Sequence, residues 1–122
     1  ALKKQKTVKE NLSFWAEFHG NGASRISTTD ILEAAGIGGL EDMKTVALSS
    51  GQQRRLALTR LIVAPRPIWL LDEPLTGLDD NGKDWLTDMA RSHLAQNGLI
   101  IAASHEPLAF TTHNLNIGGA KR

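Results

Sequence analysis

Leu48-Ser49-Ser50-Gly51-Gln52-Gln53-Arg54-Arg55, followed by Ile68-Trp69-Leu70-Leu71-Asp72-Glu73, decides how this chain is read. The first stretch is a hydroxyl-rich turn with a glycine, opening a basic amphipathic helix. A helix N-terminus offers unpaired N–H groups and a partial positive charge. Gly51 lets the backbone approach a ligand closely, and Ser49 and Ser50 add hydroxyls, so the turn suits a phosphate. The second stretch is an apolar run ending in two adjacent carboxylates. Ligands of open α/β sheets gather at such strand ends. One carboxylate there suits a hydrated magnesium ion. The other suits orienting and deprotonating a water for attack on a phosphoanhydride. Neighbouring residues on a strand point to opposite faces, so Asp72 and Glu73 can divide these tasks.

Ser50-Gly51-Gln52-Gln53 reads as a capping box, with Ser50 at the N-cap and Gln53 at the third position. The helix it opens carries Leu56, Ala57, Leu61, Ile62 and Ala64 inward and keeps the heads of Arg54, Arg55 and Arg60 in water. Pro65 and Pro67 stop it. Ile68 to Leu71 reads as a strand buried on both faces. Residues 74–79 form a turn around Pro74 and Gly77. Asn81 to Gln96 reads as a helix with Trp85, Leu86, Met89, Ala90 and Leu94 on one side, closed by Gly98. Leu99 to Ala103 is a second buried strand, ending at Ser104-His105. The strand–helix–strand order is a βαβ unit, which predicts parallel strands and a right-handed crossover. Leu115-Asn116-Ile117 reads as a last short strand before a basic tail.

Upstream, Thr7-Val8-Lys9-Glu10 is another capping box. Val8, Leu12, Trp15, Ala16 and Phe18 follow at helical spacing, predicting a helix to about His19 with Gly20 as its C-cap. Ser27 to Asp30 cap a short helix, Ile31 to Ala35, stopped by Gly36. Residues 36–47 read as an irregular linker, and a boundary near residue 47 separates a helical part from an α/β part.

The bulk numbers narrow the function classes. The chain has 122 residues, 41% hydrophobic and 22% charged, which suits one folded domain or a large piece of one. Net charge is +1, from 14 basic and 13 acidic residues. That balance speaks against a nucleic-acid surface. Cysteine is absent, so disulfides and thiol catalysis are excluded. No apolar run approaches the ~20 residues that span a bilayer, and Ala1 to Lys6 lack the apolar core of a signal peptide. No G-x-x-x-x-G-K-[ST] loop occurs. Its absence makes the chain read as the C-terminal part of a larger domain, and the opening on Ala1 fits a fragment, a processed product or a further upstream region alike.

Each functional residue has a plainer alternative. Ser50 and Gln53 would cap a helix in any protein, and a strand often ends in solvated acids. Asp79, after Thr76-Gly77-Leu78, is an ordinary N-cap for the next helix. A lone histidine is usually a surface or core residue, and His19, His93 and His113 are read that way. His105 is set apart because it ends the strand parallel to the one that carries Asp72.

Taken in order, these residues resemble the ATP-binding cassette (ABC) ATPases. Leu48-Ser49-Ser50-Gly51-Gln52 matches the family's signature, with Ser50 in place of the commoner glycine. Ile68 to Asp72 matches the Walker B strand, Glu73 the catalytic glutamate, Leu78-Asp79 the D-loop and His105 the switch histidine. The resemblance implies a partial P-loop NTPase fold of class α/β, lacking the P-loop strand. Residues 1–47 would be the helical subdomain, and residues 48–122 the signature helix with the Walker B and switch-histidine part of the core. It further implies two such subunits sandwiching ATP with Mg2+. Leu48, Ser49, Ser50, Gly51 and Gln52 would face the partner's nucleotide, Asp79 would face the second subunit, and Asp72 would hold the metal. Glu73 and His105 would be catalytic. Transmembrane exporter subunits would be the other partners, placing the protein peripherally at the cytoplasmic face of the plasma membrane. Without a P-loop, these residues alone would neither bind nor hydrolyse ATP, and would expose sheet edges where strands are missing.

A finer resemblance rests on Thr7-Val8-x-Glu10-Asn11-Leu12-x-Phe14-Trp15 and on Leu99-Ile100-x-Ala102-Ala103-Ser104-His105-Glu106-Pro107-Leu108. Both are similar to the ATP-binding subunits of heme exporters in c-type cytochrome maturation. Two other readings compete with an exporter ATPase: a soluble ABC protein of another process, and a non-catalytic truncated cassette that only docks to a partner.

Overall fold

A computed structural model describes residues 2–18 and 27–111. Gly20, His19, His113 and the strand expected at Leu115–Ile117 lie outside the described residues. Among the described residues, four α-helices and two strands follow one another: α1 (Val8–Phe18), α2 (Thr28–Ala34), a 3-10 turn (Thr45–Ala47), α3 (Ser50–Val63), β1 (Ile68–Asp72), α4 (Asp80–Ala95) and β2 (Leu99–Ala103). Among the described residues, no helix is long and apolar enough to cross a membrane.

The start of α1 follows from its capping box. Thr7 N donates to Glu10 Oε1 at 2.8 Å, and Glu10 N donates to Thr7 Oγ1 at 3.1 Å. Val8, Leu12 and Trp15 then bury one face. Asn11 is fully buried on that face and makes its burial tolerable by bonding throughout. It accepts from Lys3 N and donates to Lys3 O, Thr7 O and Thr45 Oγ1, all within 2.9–3.1 Å. The segment expected to be an irregular linker is therefore tied to α1, and its last residues form the 3-10 turn.

α3 is the hub. Leu56 and Val63 join Val8, Leu12, Trp15, Ile31, Leu32 and Leu48 in one apolar cluster. Leu58 faces the other way, into a cluster with Leu75, Leu78 and Leu86. The helix is thus covered on two sides, which corrects the expectation of a single inward face. Leu58, Thr59 and Val63 are buried, whereas Ala57, Leu61 and Ile62 are only partly so.

The two strands pair in parallel with Asp72 opposite Ala103, as the βαβ reading predicts. Their burial differs from expectation. Trp69 and Leu71 are covered by a cluster that includes Ala90 of α4 and Phe110. Ile68, Leu70, Leu99 and Ile101 are exposed, Leu70 by 74%. Among the described residues, only one face of this pair carries a helix, so the continuous apolar runs stand half uncovered instead of buried twice.

α4 is capped by Asp79, whose side chain accepts from Gly82 N at 2.8 Å. At its other end Asn97 takes the left-handed conformation, with φ 67°, one residue before the Gly98 expected to close the helix. Gly98 is needed for another reason: a Cβ there would collide with the His93 ring. That ring stacks on Trp69 with centroids 4.0 Å apart, and its Nε2 meets Pro67 O at 3.1 Å.

Candidate active site

The signature turn forms a capping box one residue earlier than the sequence suggests. Ser49 is the N-cap: its Oγ accepts from Gln52 N at 3.1 Å, and Ser49 N donates to Gln52 Oε1 at 2.9 Å. Gln53 is drawn away from the expected role because its Nε2 donates to Thr45 O at 3.0 Å, pinning the 3-10 turn. This register has a chemical consequence. The box occupies an acceptor on Ser49 and the carbonyl oxygen of Gln52, while the Ser49 O–H and the Gln52 amide N–H groups remain to donate. The N–H groups of Ser50 and Gly51 make no hydrogen bond among the described residues. A turn presenting donors at a helix N-terminus is suited to an anion. Leu48 is buried in the first cluster and anchors the turn from behind. Gly51 lies against the next loop, where an added Cβ would sit 3.3 Å from Gly77 O.

The two carboxylates take their directions from different backbone states. Asp72 ends β1 on the uncovered side, in step with Ile68 and Leu70, and is exposed. Glu73 is not part of the strand. Its φ of 46° lies in the left-handed region, so it leaves β1 in a sharp turn. The turn carries its carboxylate to the end of β2. There His105 N donates to Oε1 at 3.1 Å and to Oε2 at 3.3 Å, and His105 Nδ1 lies 2.5 Å from Oε1. The strand-end placement of His105 is what joins it to Glu73. The imidazole remains largely exposed, at 79%, and accessible to a ligand.

Two further residues build this site, Arg54 and Arg55, whose heads are expected in water from sequence but turn inward. Arg54 Nη2 donates to Glu73 O at 2.7 Å and to Asp72 O at 3.4 Å. Arg55 donates to Ala35 O at 2.8 Å and pairs with Asp79, and only 14% of its side chain is exposed. Their side chains turn inward because α3 is covered on two sides and carbonyls and a carboxylate wait there. The signal available in sequence was their place, one turn after the N-cap and before an acidic loop. Asp79 is thus both the N-cap of α4 and a partner of α3. Its carboxyl is held below the ordinary range first by the Gly82 N–H and further by Arg55.

Among the described residues, no three His, Cys, Asp or Glu side chains gather into a metal-binding group. A lone exposed carboxylate at Asp72 fits magnesium that arrives with a nucleotide. Such an ion keeps several waters and takes one or two carboxylates beside the phosphates.

Comparison with known proteins shows the family. The family profile described as ABC transporter matches residues 1–76, which include the signature turn and both carboxylates. The chain belongs to the ABC transporter family. It is 45% identical over 120 residues to the cytochrome c biogenesis ATP-binding export protein CcmA of Nitrobacter winogradskyi, covering 98% of this chain and 59% of that protein. With CcmA of Bradyrhizobium diazoefficiens it shares 47% over 119 residues, again 98% of this chain and 58% of the relative. The chain therefore spans less than two thirds of these relatives. Among solved structures, a dimeric ATP-binding cassette in a post-hydrolysis state bound to ADP and Pi matches with a TM-score of 0.71 at 24% identity. That match covers 86% of this chain and 48% of the other. A second, the ATP-binding subunit of an ABC transporter, matches with a TM-score of 0.73 at 18% identity, covering 86% and 45%. Both establish the ABC ATPase fold expected from the motifs.

Proposed function

We propose that these residues form the signature, Walker B and switch-histidine portion of an ATP-hydrolysing cassette that energises an ABC exporter. The observation that carries the reading is the meeting of Glu73 and His105 at the shared end of two parallel strands. In this reading Glu73 is the general base. The left-handed turn aims its carboxylate off the sheet, where it can take the proton of an attacking water. His105, on the neighbouring strand, keeps its imidazole outward to hold the terminal phosphate. Asp72 would hold magnesium through water, and the ion would neutralise charge on the phosphates.

Ser49, Ser50, Gly51 and Gln52 would present their donors to the nucleotide of a second ATP-binding subunit, with Leu48 fixing the turn. Asp79 would face that subunit from the loop between. Residues 1–47 would serve as the helical subdomain that meets the transmembrane partners, and residues 48–122 as part of the core. The likeness to CcmA supports export in cytochrome c biogenesis as the process served; heme is the proposed cargo, and the cytoplasmic face of the inner membrane the proposed place. ATP turnover is proposed for a cassette in which these residues stand together with a P-loop. The 122 residues contain no such loop and on their own are proposed to be inactive.

The test is ATP hydrolysis by the longest gene product that carries these residues, beside its Glu73→Gln variant and the 122-residue chain. Hydrolysis that falls by about 100-fold or more with Glu73→Gln supports the assignment of the base. Undiminished hydrolysis in that variant removes it. A product without hydrolysis that still binds exporter subunits would favour the docking module.

A further inference from the structure

Glu73 adopts a backbone conformation that a residue with a Cβ holds only when its surroundings impose it. Three bonds converge on this turn. Glu73 N donates to Ala103 O at 2.7 Å, and Thr76 N donates to Glu73 O at 3.2 Å. These are backbone bonds, available whatever side chain stands at position 73. The third is the bond from Arg54, 2.7 Å to Glu73 O with a longer contact to Asp72 O. Among the described residues, no other side chain bonds to the backbone oxygens of residues 72 and 73. The donor is a permanent cation, so the bond is charge-assisted and stronger than its neutral counterparts. Arg54 Nε is meanwhile buried without a partner. The guanidinium has surrendered the hydration of one N–H to stand at these carbonyls.

From this we propose that Arg54 is a positioning residue for Glu73. Its guanidinium holds the carbonyls of Asp72 and Glu73 in the left-handed turn and thereby aims the Glu73 carboxylate at His105. The proposal deepens the reading of Glu73 as base and rests on it for its kinetic arm. Because Arg54 lies three residues beyond Gly51 on α3, it also links the aim of the carboxylate to the position of the signature turn. A ligand that displaces the start of α3 would move the turn at Glu73 as well.

The experiment has two arms. In the full 122-residue chain, NMR reads the Glu73 HN–Hα coupling and the nuclear Overhauser contact between Glu73 and His105. The ring-stacked shifts of Trp69 and His93 report that the chain is folded. In the cassette that turns over ATP, kcat and KM are measured. Arg54→Gln is expected to keep the Trp69 and His93 shifts and lose the Glu73–His105 contact. Its kcat should fall by about 10- to 100-fold with KM for ATP unchanged. Arg54→Lys keeps the charge and one donor, and should lie between in both arms. A folded Arg54→Gln chain with coupling and contact intact overturns the proposal. So does a folded Lys variant that loses the contact yet retains full kcat. If the contact is lost with Arg54→Gln but the wild-type protein turns over no ATP, positioning stands and the reading of Glu73 as base falls.

Discussion

Arg55 lies 2.5 Å from Asp79 Oδ1 while its second nitrogen donates to Ala35 O at 2.8 Å. One side chain of α3 thus fastens the end of α2 to the start of α4. The slot around it is closely built. A Cβ at Gly36 would come within 2.5 Å of Arg55 Nη1, and one at Gly82 within 3.1 Å of Nη2. Arg55→Met should cost about 1–3 kcal/mol, because the buried carbonyl of Ala35 loses its charged donor. Urea unfolding should show a lower midpoint with an unchanged slope. Gly36→Ala should also destabilise, since its φ of 77° and the guanidinium both oppose a Cβ.

The pH dependence of stability follows from two carboxyls whose folded values are depressed. Asp79 is held below its ordinary 3.8, first by the Gly82 N–H and then by Arg55. Glu10 is held below 4.5, first by the Thr7 N–H. A depressed folded pKa contributes stability above the unfolded value and loses it as pH falls through the folded one. Wild-type stability should therefore decline below the ordinary values of these two groups. Asp79→Asn and Glu10→Gln should each flatten the decline in acid unfolding titrations. A variant whose acid limb overlays wild type would remove that carboxyl from the account.

The register of the signature cap is open to a direct comparison. Ser49→Ala removes the side-chain acceptor for Gln52 N and should cost about 1 kcal/mol. Ser50→Ala removes a hydroxyl outside the box and should be near neutral in the same unfolding experiment. If Ser50→Ala proves the more costly, the box sits one residue later, as its sequence suggests.

Glu73→Gly relieves the left-handed turn and should raise stability by up to about 1 kcal/mol, measured as a shift in melting temperature. The same change should abolish ATP turnover in the hydrolysing cassette. Opposite signs in the two measurements would mark strain kept for function. A loss of both would mean that the His105 contact outweighs the strain.

Ile68, Leu70, Leu99 and Ile101 form an apolar surface on the open side of the sheet. The 122-residue chain should self-associate through it, and Leu70→Lys with Ile101→Lys should shift the population towards monomer in light scattering. Monomer in wild type at tens of micromolar would argue that this surface is covered.

The elements themselves are legible in the sequence because their local chemistry is redundant. Thr7 with Glu10 opens α1, Asp79 opens α4, prolines end α3, and two apolar runs flank one helix. The parallel pairing then follows from chain order. The site is legible up to the meeting of strand ends, which brings His105 to Glu73. What stays hidden depends on competition between partners. Ser49 outcompetes Ser50 as the cap only because Thr45 O is near enough to engage Gln53. Arg54 and Arg55 turn inward only because carbonyls of residues 35, 72 and 73 lie within reach. The left-handed turn at Glu73 has no signal in residue type, since glutamate does not favour it. Nor does an apolar run reveal whether both its faces are covered, because that depends on elements elsewhere.

The pairing of β1 with β2 constrains length more tightly than composition. Asp72 stands opposite Ala103, and His105 follows two residues later. One residue added or removed within 68–73 or 99–105 would slide one strand end by about 3.3 Å and turn its side chains to the opposite face. Glu73 and His105 would then no longer meet, although every residue type was kept. Within α4 an added residue would turn the buried Leu86 and Ala90 out of the core, and its closing turn is fixed by Asn97 and by Gly98 against the His93 ring. The short segments ending in Glu73 and His105 can therefore vary in composition, outside those two residues, far more freely than in length.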